Sequence, residues 1–296
     1  MVRDIYLPAH PLFFMAGLSL RVLVDNTTLT DRFFIGEPGL SIYLECGGKR
    51  ILFDTGYSGA FLANAEKMGI SLLDLDYVVL SHGHIDHTGG LPFLLRALME
   101  ASREERPHRV PTIIAHPHCF YPRPMPHIGD IGSPINEAAI LRQCPVTTSK
   151  KSLWLTGDLV FLGEIDRVMD MVPDRHKRRT IVTPDGPQPD RLLDDSALVY
   201  LSGQGLVIIT GCSHAGIGNT IAYARKVGVD QRVRDIIGGL HLKESDHETL
   251  EGTLSYLKHV RPAALHPCHC TSLAAKIALA AVAPVGEVGV GLRLDY

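Results

Sequence analysis

One ten-residue run, Ser81-His82-Gly83-His84-Ile85-Asp86-His87-Thr88-Gly89-Gly90, constrains this chain more than any other. It places three imidazoles and a carboxylate within six residues. The apolar stretch Tyr77-Val78-Val79-Leu80 precedes it and a helix-patterned stretch, 91–101, follows. The segment therefore reads as strand, sharp loop and helix start. Neutral imidazoles and a carboxylate suit one or two divalent transition-metal ions, zinc first, with iron and manganese also compatible. His82 and His84 flank a single residue, so an extended backbone points both rings to one side. Asp86 and His87 then turn onto the helix entrance, toward the same ion or a second one.

The chain has 296 residues, 45% of them hydrophobic, which is ample for a large buried core. Its formal net charge is −3 with acids and bases mixed, and no basic stripe speaks for nucleic acid. Six cysteines spread over this length do not look like a disulfide framework, so a reduced, cytoplasmic setting is expected. The apolar run 12–20 is short and soon followed by Arg21 and Asp25, and reads as a strand entering the core rather than a signal segment. No apolar run reaches the ~18 residues of a spanning helix, so no membrane partner is expected.

Short β-type runs open the chain at 20–24, 41–45 and 50–53, with Gly47-Gly48 as a hairpin signal. Helices are expected at 61–68 and 91–101, and strands at 77–80 and 112–115. Residues 119–145 are rich in Pro, Gly, His and Arg; Pro122, Pro124, Pro126 and Pro134 forbid a continuous helix, and the segment reads as an insertion near the site. The second half repeats the rhythm: strands at 159–162, 197–201, 206–210, 235–237 and 263–266, helices at 220–227, 249–259 and 273–283. By pattern alone this is an α/β or α+β protein.

Further chemistry-bearing residues gather where these strands stop. Asp54 follows Ile51-Leu52-Phe53. Cys212 and His214 follow the strand ending at Thr210, in Thr210-Gly211-Cys212-Ser213-His214-Ala215-Gly216. His241 lies in Gly238-Gly239-Leu240-His241-Leu242, and His266 and His269 lie in His266-Pro267-Cys268-His269-Cys270-Thr271. Strand ends before helices are where α/β enzymes build their sites. Thr271 and Ser272 open the last helix, either as its caps or as part of an anion site. Glu164 could face the pocket or form a salt bridge.

His82-Gly-His84-Ile-Asp86-His87 resembles the HxHxDH signature of the metallo-β-lactamase superfamily, including the Gly-Gly pair after it. The wider set SHGHIDHTGGL, FLGEI, DDSAL, ITGCSHAGIGNT, GGLHL and PCHCT is similar to one branch, the 7,8-dihydropterin-6-yl-methyl-4-(β-D-ribofuranosyl)aminobenzene 5′-phosphate synthase-like proteins, over nearly the whole chain from about Leu20. The resemblance implies a four-layer αββα sandwich, a single domain over residues 1–296. It implies that His82, His84 and His269 hold one ion, that Asp86, His87 and either Cys212 or His214 approach a second, and that Asp54 holds a ligand imidazole or the loop backbone. His241 is a further metal or substrate candidate. One element departs from the family: its third-motif histidine is missing before the strand at 197–201, where Asp194-Asp195-Ser196 stands, so Asp195 becomes a substitute candidate.

The leading expectation is a metal-dependent hydrolase in which metal-activated water attacks a small ester, lactone or phosphoester, with Asp86 orienting the nucleophile. The alternatives are a pterin transferase that releases pyrophosphate and a non-catalytic small-ligand sensor. Arg123 in the Pro-rich insertion, with Thr271 and Ser272, leads to the expectation of an anionic, phosphorylated small-molecule substrate.

Overall fold

The computed structural model describes residues 17–169, 179–243 and 247–296. The first part of the apolar run at 12–20 lies outside them. The first half runs β1 (Ser19–Val24), β2 (Ser41–Cys46), β3 (Lys49–Phe53), α1 (Ala60–Lys67), β4 (Tyr77–Val79), α2 (Ile85–Thr88), α3 (Leu91–Arg103) and β5 (Thr112–Ala115). The proline-rich segment supplies β6 (Pro124–Met125), β7 (Gly129–Asp130) and α4 (Glu137–Ile140). Then come β8 (Val146–Thr148), β9 (Leu153–Trp154), β10 (Leu159–Phe161), β11 (Thr180–Thr183), β12 (Gly186–Pro189), β13 (Ala197–Ser202) and β14 (Gly205–Thr210). The chain closes with α5 (Ile217–Gly228), β15 (Val233–Gly239), α6 (His247–Val260), β16 (Ala264–Cys268), α7 (Leu273–Ala280) and β17 (Arg293–Asp295).

Two sheets carry the molecule, one in the order β17-β1-β2-β3-β4-β5-β8 and one in the order β16-β15-β14-β13-β10-β9. Alternation along the strands divides the apolar side chains between two faces. In β14, Val207 and Ile209 turn toward the other sheet while Leu206 and Ile208 turn away from it. The inward set meets Leu20, Ile42, Leu44, Ile51 and Phe53 of the first sheet in a central core. Outside the first sheet, Leu52 and Val78 pack on Phe61 of α1 and Leu91, Leu94, Leu95 and Leu98 of α3. Outside the second, Leu206, Ile208 and Ile236 pack on Ile221 of α5, Leu257 of α6 and Leu279 of α7. Three apolar layers between helices, sheet, sheet and helices make the αββα sandwich.

Most expected elements stand within two residues of their place. The Gly47-Gly48 hairpin does so because both glycines take positive φ, 57° and 73°, which a two-residue turn between twisted strands requires. Helix α5 begins three residues before the expected start because Gly216, at φ 88°, already redirects the chain. Strand β17 was not expected: it has only three residues and pairs with β1 across the whole sequence, and such a strand carries too little periodic signal to read. The segment 119–145 is a wall rather than a free loop. Cys119 and Phe120 belong to the outer core, and Ile131 O accepts from Ile85 N at 2.9 Å, against the helix entrance of the histidine run.

Strands β3, β4 and β5 are parallel, as are β14, β15 and β16. The residues that follow β3, β4, β14, β15 and β16 include every histidine, cysteine and aspartate that makes up the centre described next. No helix among the described residues is long and apolar enough to cross a membrane.

Candidate metal centre

His82, His84 and His214 offer ring nitrogens within 4.8 Å of one another, and so do one carboxylate oxygen of Asp86 and ring nitrogens of His87 and His269. The rings of His82 and His84 lie 4.8 Å and 5.0 Å from that of His214, and His87 lies 4.9 Å from His269. Cys212 joins the groups, its Sγ 3.2 Å from His87 Nε2 and within 4.8 Å of a ring nitrogen of His82. His241 lies beside His214, its ring tilted 55° to it with ring centroids 4.4 Å apart.

This regroups the expected ligands. His269 stands with Asp86 and His87 rather than with His82 and His84, and His214 takes the place beside the first pair. The reason is topological. β14 is central in the second sheet and delivers His214 over the β4 loop, while β16, at that sheet's edge, delivers His269 to the far side of α2. His214, beyond β14, stands with the first pair, and the aspartates before β13 do not.

The tautomers follow from the hydrogen bonds. Asp54 Oδ2 accepts from Ser81 Oγ at 2.7 Å, and Ser81 Oγ lies 2.9 Å from His82 Nδ1. The hydroxyl donates to the carboxylate, so it accepts from Nδ1–H, and His82 Nε2 keeps its lone pair. Asp54 Oδ2 also accepts from His87 Nδ1 at 2.7 Å, which turns His87 Nε2 toward Cys212 and the centre. Its Oδ1 takes Ser81 N at 2.7 Å. One buried carboxylate thus aims two imidazoles. Ser81 was not singled out in the sequence; its position between the strand and the first histidine was the only signal.

His82 Nε2 and His84 Nδ1 face each other at 2.9 Å. Burial pushes His84 down to about 3 and His82 well below the ordinary imidazole range, Arg123 adding to the effect on both. Burial also opposes charge on His87, yet the carboxylates of Asp54 and Asp86 outweigh it and raise it to about 9. On Asp86 burial favours the neutral acid, but His87 and His269 hold the carboxyl below its usual range. The neutral nitrogens of His82 and His84, and the ionised carboxylate of Asp86 with His87, which would give up its proton to an ion, form a donor set that fits a divalent transition ion.

These shifts carry a sign. His82 and His84 gain protons below pH ~6.5 only in the unfolded chain, so their stabilisation is present above that pH and lost as pH falls toward 3. His87 contributes fully below pH ~6.5 and loses its contribution as pH rises through 9. Metal-free protein held in chelator should therefore be most stable near pH ~6.5, with a denaturation midpoint that falls on both sides. A midpoint that rises steadily from pH 5 to pH 9 would contradict this charge arrangement.

Four residues of the site loops hold left-handed backbone: Asp54 (φ 58°), Ser213 (φ 57°), His241 (φ 50°) and His269 (φ 50°). Each costs conformational energy that the surrounding packing has to offset. Gly83 is required for a different reason, since a Cβ there would lie 2.1 Å from Cys119 O and 2.2 Å from Arg123 Nη1.

Arg123 is therefore not a substrate contact. It is 1% exposed, its Nε bonds Asp190 at 3.0 Å and its Nη2 bonds Asp194 at 2.6 Å. Asp194 also accepts from Gly83 N at 2.8 Å, so the guanidinium braces the histidine loop from behind. Asp195 does not join the donor groups either. Its Oδ2 accepts from Ala215 N at 2.8 Å beneath His214, and burial raises its carboxyl to about 6 against the bonds from Ala215 and His214. Glu164 forms the salt bridge, to His116 at 3.1 Å and Lys150 at 3.5 Å. Thr271 Oγ1 accepts from Leu240 N, and Ser272 Oγ caps α7 through Ala275 N, so both hydroxyl oxygens have structural work. His266 pairs with Asp235 at 2.8 Å, away from the centre.

A cavity of about 840 Å³ opens beside His269 and Cys270, lined also by Asp25, Lys243, Thr271, Ser272 and Lys276, so the two hydroxyl residues expected at a substrate site do border it. The two lysines escaped the sequence reading, since nothing local marks them; only the meeting of the loop after β15 with α7 places them together.

Residues 35–225 match the family model of the metallo-beta-lactamase superfamily. The chain belongs to that superfamily. An uncharacterized protein of Methanocaldococcus jannaschii is 28% identical over 260 residues, 86% of this chain and 91% of the relative. From the same organism, 7,8-dihydropterin-6-methyl-4-(beta-D-ribofuranosyl)-aminobenzene-5′-phosphate synthase is 28% identical over 256 residues, 82% of this chain and 84% of the relative. Among solved structures, Tm1679, a metal-dependent hydrolase of the beta-lactamase superfamily, superposes with a TM-score of 0.79 at 24% identity over 94% of this chain and 99% of that one. At that identity the likeness concerns the metallo-β-lactamase fold alone.

Proposed function

We propose that this metallo-β-lactamase superfamily member is a metal-dependent hydrolase of a small phosphorylated substrate. One observation carries the reading: His269, which stands with Asp86 and His87 in one donor group, lines the cavity that Lys243 and Lys276 also line. His82, His84 and His214, or Asp86, His87 and His269, would hold a divalent ion, which would supply Lewis acidity there. The chain's own residues do the rest. Asp54 and Ser81 fix the imidazole tautomers. Asp86, ionised and partly exposed, accepts a hydrogen bond from the attacking nucleophile and orients it. The lysines hold the anionic group, and Leu273, 72% exposed, offers an apolar surface to the remainder of the substrate.

Chelator-stripped protein reloaded with zinc or manganese should cleave phosphate esters. Replacing both lysines by alanine should raise KM roughly tenfold or more at little change in kcat, and inorganic phosphate should compete with substrate in the parent and hardly in the variant. Preferred turnover of uncharged lactones, indifferent to both lysines and to phosphate, would refute the reading.

The transferase alternative is favoured by the synthase relative, whose name also specifies a phosphorylated compound. There Lys243 and Lys276 would hold one of the two anionic partners. Oxygen-18 water separates the two reactions: hydrolysis places the label in product, and transfer with pyrophosphate release does not.

A further inference from the structure

We propose that Cys212 and Cys270 form, with His269, a sulfur-rich cation position beside the imidazole groups, which takes a thiophilic divalent ion such as zinc, cobalt or cadmium. The proposal rests on the metal-centre reading above and adds donors to it.

The two sulfurs and a ring nitrogen of His269 lie within 4.8 Å of one another. His241 N donates to Cys270 Sγ at 3.2 Å, a contact that favours negative sulfur. The backbone is shaped to admit this side chain: a Cβ on Gly239 would lie 2.6 Å from Cys270 Sγ and 3.3 Å from Cys212 Cα. Cys46, Cys119, Cys144 and Cys268 sit in the apolar cores, where a thiol serves as a small hydrophobe. Cys212 and Cys270 instead face imidazoles, and Cys270 also lines the cavity. As each S–metal bond forms, the thiol proton leaves to solvent, so two thiolates balance a divalent charge. Two sulfurs and one nitrogen leave a tetrahedral ion one open position. Sulfur donors also select zinc, cobalt and cadmium over manganese and magnesium, which prefer oxygen.

Cobalt(II) titrated into the chelator-stripped full chain tests this directly. The expected result is near-ultraviolet sulfur-to-cobalt charge-transfer absorption that saturates with bound cobalt. Cys270→Ser should weaken it, and Cys212→Ser with Cys270→Ser should abolish it, while the visible bands of imidazole-bound cobalt persist. Bound cobalt without charge-transfer absorption in the unmodified protein overturns the sulfur position and leaves the imidazole centre standing. Absorption unchanged by Cys270→Ser also overturns it. Failure to bind any cobalt overturns both readings together.

Discussion

Alanine at both His82 and His84 should strip the first donor group of two of its three nitrogens and abolish turnover, by on the order of 10³-fold or more. The fold should survive, because these rings face the centre and do not belong to the three apolar layers. Metal analysis after dialysis, alongside circular dichroism, checks both halves of the expectation. Full metal content in the double variant would sink the assignment of this group. Asp54→Asn makes an informative contrast. It keeps the shape but removes the charge that takes His87 Nδ1–H and the Ser81 hydroxyl, and should weaken metal affinity by roughly 10–100-fold without abolishing binding.

The second large effect concerns stability rather than chemistry. Arg123→Ala should destabilise the protein by about 3–5 kcal/mol, because it leaves two buried carboxylates without their counter-charge. Asp190 and Asp194 are 2% and 0% exposed, and neither can reach water to recover its solvation. Asp194 also holds Gly83, so the loop bearing His82 and His84 should loosen with it, and metal affinity should fall alongside the melting temperature. Differential scanning calorimetry of the metal-free protein measures the first effect, and competition with a chromophoric chelator the second. A variant that melts like the parent but shows only a raised KM would return Arg123 to the role of a substrate contact.

The corrected role of Arg123 shows where local reading fails. An arginine in a proline-rich segment looks solvated, because nothing near it in sequence announces a partner. Its partners lie 67 and 71 residues away. The same holds for Cys270, whose sulfur groups not with that of Cys268, two residues before it, but with that of Cys212 on another strand end. Lys243 and Lys276 acquire meaning only through the cavity they share.

What was legible from residue order is what depends on short-range physics. Strand–loop–helix punctuation around His82 to Gly90, the period-2 runs and the Gly47-Gly48 turn are properties of a few consecutive residues, and each specifies its element nearly unaided. The donor types are likewise intrinsic to the side chains, so a transition-ion centre could be expected before any contact was known. Tertiary structure decided which donors lie together, because that depends on strand order. Central β14 carries His214 over His82 and His84, while edge β16 carries His269 to Asp86 and His87. It also decided which charges are paired in the interior, as Arg123 is, and which line the cavity, as Lys243 and Lys276 do. Burial and partner distance settle that question, and both arise only when segments dozens of residues apart are brought within hydrogen-bond reach.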